Sequence, residues 1–185
     1  MASAWKKRLV AQSDLMTLHE QLKSKGKKIV FTAGSWDLLH VGQCRYLEES
    51  RAQGDVLVVG VSSNDAIRRV KGVNKPILDE KIRAEMLTYL RSVDFVTILP
   101  EPSCQPSLGL LRPDVFITVK EDWAANYKES KEYKTVIKYG GEVQVVDRQS
   151  TALSTTKIVQ RAIGGELGSI FKDFMELRKD PLKER

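Results

Sequence analysis

A histidine and a glutamine, His40 and Gln43, stand three residues apart just after the run Thr32, Ala33, Gly34, Ser35, Trp36. The run reads as a strand that passes through a turn and enters a helix. Gly34 allows a backbone to approach a ligand closely. At i and i+3, His40 and Gln43 share one face of the first helical turn, with Gly42 between them. The free N–H groups and the dipole of that helix N-terminus attract phosphate.

Four further segments carry residues suited to a phosphate-rich ligand. Lys71, in the stretch Lys71–Gly72–Val73–Asn74–Lys75–Pro76, can close over β- and γ-phosphates as a point charge, or stand in solvent as an ordinary loop lysine. Arg83 lies beside an apolar helical stripe and can reach inward. There its guanidinium would hold phosphate, brace the loop above, or make a plain helix salt bridge. Asp122 and Trp123 follow a buried strand. Asp122 suits a ribose hydroxyl or Mg²⁺, and Trp123 suits packing near a base; an acidic loop with one exposed Trp is the plainer reading. Ser154 sits where a helix N-cap is expected, and its hydroxyl with those of Thr155 and Thr156 could cradle a triphosphate.

The elements that must position these groups alternate between strand and helix. Short β-rich or continuously apolar runs at 28–33, 56–61, 95–99, 115–119 and 143–146 predict five strands. Helical spacing predicts helices at 13–25, 38–52, 64–70, 79–91, 127–139, 154–163 and 166–179, the last two parted by Gly164 and Gly165. Loops are expected at 73–78 and 100–106. Parallel neighbours need crossover connections, so the expected fold is α/β, a doubly wound, five-stranded parallel sheet with an added C-terminal helix. Ligands of such sheets bind beyond the carboxyl ends of the strands, where all five segments fall. The organisation expected is an N-terminal helix at 1–26 packed on the domain, a ligand-binding domain at 27–163, and a helix with charged tail at 164–185. The stretch from Glu166 carries five acids and five bases, which suits a docking helix.

Composition narrows the function classes. The chain has 185 residues, 42% hydrophobic and 29% charged, as in an ordinary globular domain. No apolar run approaches the roughly 18 to 20 residues of a membrane span. The basic start, 1–8, is not followed by the apolar stretch of a secretory signal. A cytoplasmic protein without a membrane partner is expected. Cys44 and Cys104 are too few for a disulfide scaffold and form no Cys-x-x-Cys pair, so no residue is expected to be a structural metal ligand. The net charge is +6, but 1–28 alone holds seven Lys or Arg against two acids. Such a distribution suits a solvated helix face, and no nucleic acid is expected as partner. A Gly-x-Gly-x-x-Gly after the first strand and a Gly-x-x-x-x-Gly-Lys-Ser/Thr are both missing, which disfavours a nicotinamide dehydrogenase and a P-loop kinase.

Taken together, the motifs resemble the cytidylyltransferase-like nucleotidyltransferase superfamily. The run Leu38–Leu39–His40–Val41–Gly42 matches its His-x-Gly-His signature with Gln43 in place of the second histidine. From about Leu15 to Ile163 the pattern is similar to the heptose-phosphate adenylyltransferase domain of ADP-heptose synthase. The carrying stretches include Gly26 to Gly34, Arg45 to Glu49, Gly54 to Val61, Lys71–Gly72, Val93–Asp94, Arg112–Pro113–Asp114, Gly140 to Val143 and Ser154 to Thr156. The Asp122–Trp123 pair and Ser154–Thr155–Thr156–Lys157 look more like the glycerol-3-phosphate cytidylyltransferases.

The resemblance implies transfer of AMP or CMP from ATP or CTP to a sugar or polyol phosphate, with release of pyrophosphate. It implies that His40 steadies charge on the α-phosphate, that Lys71 binds the leaving pyrophosphate, and that the 154–156 turn grips the β- and γ-phosphates. It implies Mg²⁺ bridging phosphate oxygens, and a homodimer. Gln43 can donate from its amide but cannot carry charge. Trp36 stands where Phe is usual, Ala33 where Asn is common, and Lys120–Glu121–Asp122 where Gly-Gly-Asp is usual. An active transferase is therefore one reading; a nucleotide-binding protein with impaired catalysis, acting as sensor or partner subunit, is the other.

Overall fold

The computed structural model describes residues 4–120, 126–147 and 154–177. Five strands form one sheet: β1 (Ile29–Gly34), β2 (Val56–Ser62), β3 (Phe95–Leu99), β4 (Val115–Val119) and β5 (Glu142–Val146). Their order is β3-β2-β1-β4-β5, and every pairing is parallel. The α/β doubly wound sheet expected from the sequence is thus the fold.

The reason lies in the runs themselves. β1 and β2 are apolar at nearly every position, as strands covered on both faces must be. Along β2 the side chains alternate between two cores. Leu57, Val59 and Val61 face one core, and Val56 and Val58 the other. The first core is closed by Tyr46 and Leu47 of α2 (Val41–Arg51) and by Ala84 and Leu87 of α4 (Glu80–Thr88). The second is closed by Leu15, Leu18 and Leu22 of α1 (Leu15–Lys23), Leu108 and Leu111 of α5 (Gln105–Leu111), and Val136 of α6 (Lys131–Lys138). Each fully buried leucine here contributes about 1.5–3 kcal/mol relative to an exposed one.

From β1 the chain passes through α2 to β2 on one side, while β4 pairs with β1 on the other. A crevice must open where the strand order reverses, above the carboxyl ends of β1 and β4. Their register sets Thr32 opposite Ile117 there.

Three local expectations change. The stretch 127–139 is not one helix: a 3₁₀ turn (Tyr127–Glu129) is followed by Ser130 in extended backbone, where α6 begins anew. The stretch after Pro100 is not loop throughout, because α5 starts at Gln105 with Pro106 in its first turn, where its missing N–H is no loss. The C-terminal helix is also unbroken. α7 (Thr155–Leu177) runs straight through Gly164 and Gly165, neither of which takes a positive φ. Glycine in a helix interior costs about 1 kcal/mol against alanine but does not by itself stop the helix.

The chain divides into two compact units, Met1–Gln149 and Ser150–Arg185. Within the second, Ile163, Leu167 and Ile170 of α7 are exposed. Among the described residues no helix is long and apolar enough to cross a membrane.

Candidate active site

The turn from β1 to α2 holds two of the three non-glycine residues with positive φ among the described residues. These two, Trp36 (φ 52°) and Leu38 (φ 48°), take the left-handed conformation. Each costs on the order of 1–3 kcal/mol and persists only where its surroundings enforce it. A Cβ on Gly34 would lie 3.1 Å from the Trp36 ring, tighter than side chains normally pack. Glycine is therefore what lets the strand end fold back over that ring.

Three side chains supply the enforcement. The Trp36 indole is buried in the core, and its Nε1 donates to the Gly60 carbonyl at 2.9 Å. The Asp37 carboxylate is buried and accepts the backbone N–H groups of Ile77 (2.9 Å) and Leu78 (3.0 Å). That ties the turn to the stretch after α3 (Asn64–Lys71). Arg83 of α4 is fully buried. Its Nε donates to the Leu78 carbonyl, its Nη1 to the Ser35 carbonyl, and its Nη2 to the Ser62 carbonyl and Asn64 Oδ1. Burial lowers its pKa, while the carboxylates of Asp37, Glu80 and Asp79 act in the opposite sense. One guanidinium thus fastens the β1–α2 turn, the end of β2 and the approach to α4 together.

At the far end of this turn stands His40, the N-cap of α2, in extended backbone. Gln43 is three residues on, as helical spacing demands. Its Oε1 accepts the His40 backbone N–H at 3.1 Å. A backbone N–H can only donate, so this bond fixes which end of the amide is used. The Nε2 end remains as a donor. Lys71 is the last residue of α3, and its Nζ donates to Ser35 Oγ at 2.9 Å. The described residues therefore bring together Gly34, Ser35, His40, Gln43 and Lys71 along one turn. They give that turn a cation, a helix N-terminus and amide donors, a set suited to phosphate.

Of the other expected site residues, three have their side chains held inside the protein. Thr32 is fully buried and shares a 2.7 Å hydrogen bond with the Tyr46 hydroxyl, which donates on to the Ile117 carbonyl at 3.1 Å. Thr32, Trp36 and Arg83 therefore have their side chains in the interior, bonded to protein, and bear on the turn through its shape. Gly42 is buried in the first turn of α2, and Ala33 is half-buried at the end of β1. Asp122 and Trp123 lie outside the described residues. Ser154 belongs to the second unit, where its Oγ accepts the Lys157 N–H at 3.2 Å and its carbonyl accepts the Ile158 N–H. It caps α7, as its position predicts, with Thr155 and Thr156 opening the first turn. Asp37 stands in the sequence run without a role that reading assigns; its spacing, three after Gly34 and three before His40, is the only signal.

Comparison with known proteins identifies the family. The curated protein "Bifunctional protein HldE" of Geobacter metallireducens is 40% identical over 150 residues, which cover 80% of this chain and 30% of that protein. The HldE of Syntrophotalea carbinolica is 36% identical over 152 residues, covering 82% of this chain and 30% of its own. The chain thus spans about 30% of the length of these relatives. Among solved structures, the lipopolysaccharide core biosynthesis protein of Thermoplasma volcanium superposes with a TM-score of 0.55 at 28% identity, over 66% of this chain and 97% of that one. The profile of the cytidylyltransferase-like family matches residues 31–161, from within β1 into α7, and the chain belongs to that family.

Proposed function

We propose that this chain transfers a nucleoside monophosphate, AMP or CMP, from ATP or CTP to a phosphorylated sugar or polyol and releases pyrophosphate. The observation that carries the reading is the convergence of Lys71 on Ser35, in the same pinned turn that delivers His40 to the N-terminus of α2. An oxygen of the acceptor's phosphate attacks the α-phosphorus in line. The new O–P bond forms as the bond to the β-phosphate oxygen breaks, and both electrons of that bond leave with pyrophosphate. The attacking oxygen is anionic near neutral pH, so no strong general base is required. Catalysis is then positioning and electrostatic stabilisation.

In this reading His40 and the Gln43 amide donate to the α-phosphate, and Lys71 holds the leaving pyrophosphate. Asp122 and Trp123 serve the nucleoside. Mg²⁺, a hard cation that takes oxygen ligands, would neutralise charge on the phosphate oxygens. The Asp37 carboxylate is engaged by two backbone N–H groups and is not its donor. The reaction belongs to the cytoplasm, and the protomers pair as a homodimer.

The test is pyrophosphate release with Mg²⁺, ATP or CTP, and a panel of sugar and polyol phosphates. Release that needs both substrates, with one base preferred, is expected. No turnover by a folded protein across the panel would defeat the reading. Gln43 favours a second reading, nucleotide binding with catalysis impaired, since an uncharged amide stands at a phosphate-facing helix start. In that case Gln43→His creates turnover in a silent parent.

A further inference from the structure

The crevice has a second wall, formed by β4 and the segment 126–132, with the ends of β2 and β3 at Ser62 and Leu99 also lining the space. A cavity of about 590 Å³ opens against Ala33 and Gly34 and reaches between Phe116 and Thr118 of β4 and the segment 126–132. That volume suits a small molecule. Its described lining residues include no lysine, arginine or histidine, yet two carboxylates, Glu129 and Glu132, are among them. Neither is in an ion pair among the described residues.

This charge pattern is the reverse of that on the β1–α2 turn. Among the described lining residues polyphosphate would find no counter-charge and would face two like charges. A carboxylate only accepts hydrogen bonds, so its complement is a ligand rich in neutral donors, which means hydroxyls. Glu132 is held for such a task. Ser103 Oγ donates to its Oε1 at 2.6 Å and itself accepts the Gln105 N–H at 3.1 Å. One carboxylate oxygen is thereby anchored, and Oε2 remains to accept from a ligand. The neighbouring Cys104 thiol, pushed up to about 12 by burial and then by the Glu132 charge, stays neutral and adds no third negative charge.

We propose that Glu132, with Glu129 on the same wall, is the specificity determinant for the acceptor. The cavity takes the uncharged, polyhydroxylated body of the sugar or polyol, and its phosphate emerges at Gly34, where the opposite wall carries the donors. This rests on the transferase reading above, which places a phosphorylated acceptor at that turn.

The experiment uses the full chain, its Glu132→Gln and Glu129→Gln variants, and Ser103→Ala, which frees the Glu132 carboxylate without removing its charge. Melting temperatures verify folding. Pyrophosphate release is measured against ATP or CTP and against mannose 1-phosphate and glycerol 3-phosphate. Saturation-transfer NMR on the same proteins reads contact with the carbon-bound protons of each acceptor. Losing a charge-assisted hydrogen bond predicts that Glu132→Gln raises the acceptor KM at least about tenfold. The nucleotide KM stays where it is, and the acceptor's saturation signal disappears. Ser103→Ala moves the acceptor KM in the same direction by less. An unchanged acceptor KM and signal in Glu132→Gln overturns the proposal. So does a rise in the nucleotide KM instead, which would give the cavity to the nucleoside, and so does a parent that saturates neither acceptor. A parent that turns nothing over, but whose acceptor signal is lost in Glu132→Gln, upholds the cavity assignment and defeats the transferase reading. Turnover indifferent to Glu132 does the opposite.

Discussion

The two walls of the crevice are fastened in different ways. The β1–α2 turn is held by bonds that span tens of residues: Arg83 to Ser35, Asp37 to Ile77 and Leu78, Trp36 to Gly60. The wall at 126–132 is held mostly by its own neighbours. Ser130 caps α6 by accepting the Tyr133 N–H, Asn126 reaches Glu129, and Ser103 reaches Glu132 from further away. A wall that must hold donors around a reacting phosphate needs fixed geometry, because small misplacements cost rate. A wall that reads the acceptor can be local, so that its residues change without unfastening the sheet. Substitutions of the side chains that pin the first wall, Trp36, Asp37 and Arg83, should therefore damage fold and chemistry together; on the second wall, only specificity should move.

The largest effect should come from Arg83. Replacing it with methionine leaves the carbonyls of Ser35, Ser62 and Leu78 and the side-chain oxygen of Asn64 without their donor. Each buried acceptor left unpaired costs about 1–3 kcal/mol, so a loss of at least about 3 kcal/mol in unfolding free energy is expected. Arg83→Lys should recover only part, since an ammonium lacks the planar fork that serves four acceptors from one group. Denaturant unfolding of the two variants measures this. A methionine variant as stable as the parent would show that the turn does not depend on its brace.

Next in size, His40→Ala should lower kcat/KM about 10²- to 10³-fold, the usual cost of one donor lost at a developing phosphoryl charge. Its melting temperature should fall only slightly: the His40 side chain's share of the α2 capping box is lost, while the bond from the His40 backbone to Gln43 Oε1 survives the substitution. Loss of stability with the rate intact would reverse the assignment and make His40 a structural cap.

The sheet was legible because apolar runs, helical spacing and glycine stops are local signals. The turn from β1 to α2 could be placed from Gly34 and the helical offset of His40 and Gln43 alone. α5 could not. It is seven residues long, with Pro106 and Gly109 inside it, and what decides it is the complete burial of Leu108 and Leu111, a tertiary effect. The continuity of α7 was hidden because a glycine pair reads as a stop until its φ angles are known. Within the site, the inward reach of Arg83 showed in its place beside an apolar stripe. Its partners, up to 48 residues away, had no local signature. Asp37 is the clearest case: its residue type suggests catalysis or metal, whereas its use is to accept two N–H groups from another loop.

Asp37→Asn sharpens the comparison at an intermediate size. An asparagine keeps one acceptor oxygen but turns an NH₂ toward the second N–H. One bond is lost and two donors face each other, for about 1–3 kcal/mol. The Lys71 stretch beyond it should loosen, so the nucleotide KM should rise while the acceptor KM stays. Hydrogen exchange at Ile77 and Leu78 reports the loosening directly, and unchanged protection there would separate Asp37 from the loop it is bonded to.

The smallest effect belongs to the opposite end of the same strands, and it serves as a control. Asp114, just before β4, accepts from Lys23 Nζ at 2.8 Å and from the Ile29 N–H at 2.7 Å. Burial pushes its carboxyl up, but the Lys23 and Ile29 hydrogen bonds together outweigh this and hold it below the ordinary carboxylate range. A carboxyl depressed in the folded state stabilises the fold above its unfolded pKa, near 3.9, and loses that contribution as pH falls through the lower folded value. The Lys23 pair is partly exposed, so its share should be under about 1 kcal/mol. The stability gap between parent and Asp114→Asn should be constant from neutral pH down to about pH 5 and then close on further acidification. Neither substrate's KM should respond, because the substitution lies at the amino ends of β1 and β4 while the crevice lies at their carboxyl ends. A gap that persists through acid would mean the carboxylate's charge contributes nothing there. A shift in either KM would mean that strain travels the length of the sheet, and that the first wall is not fixed by its own bonds alone.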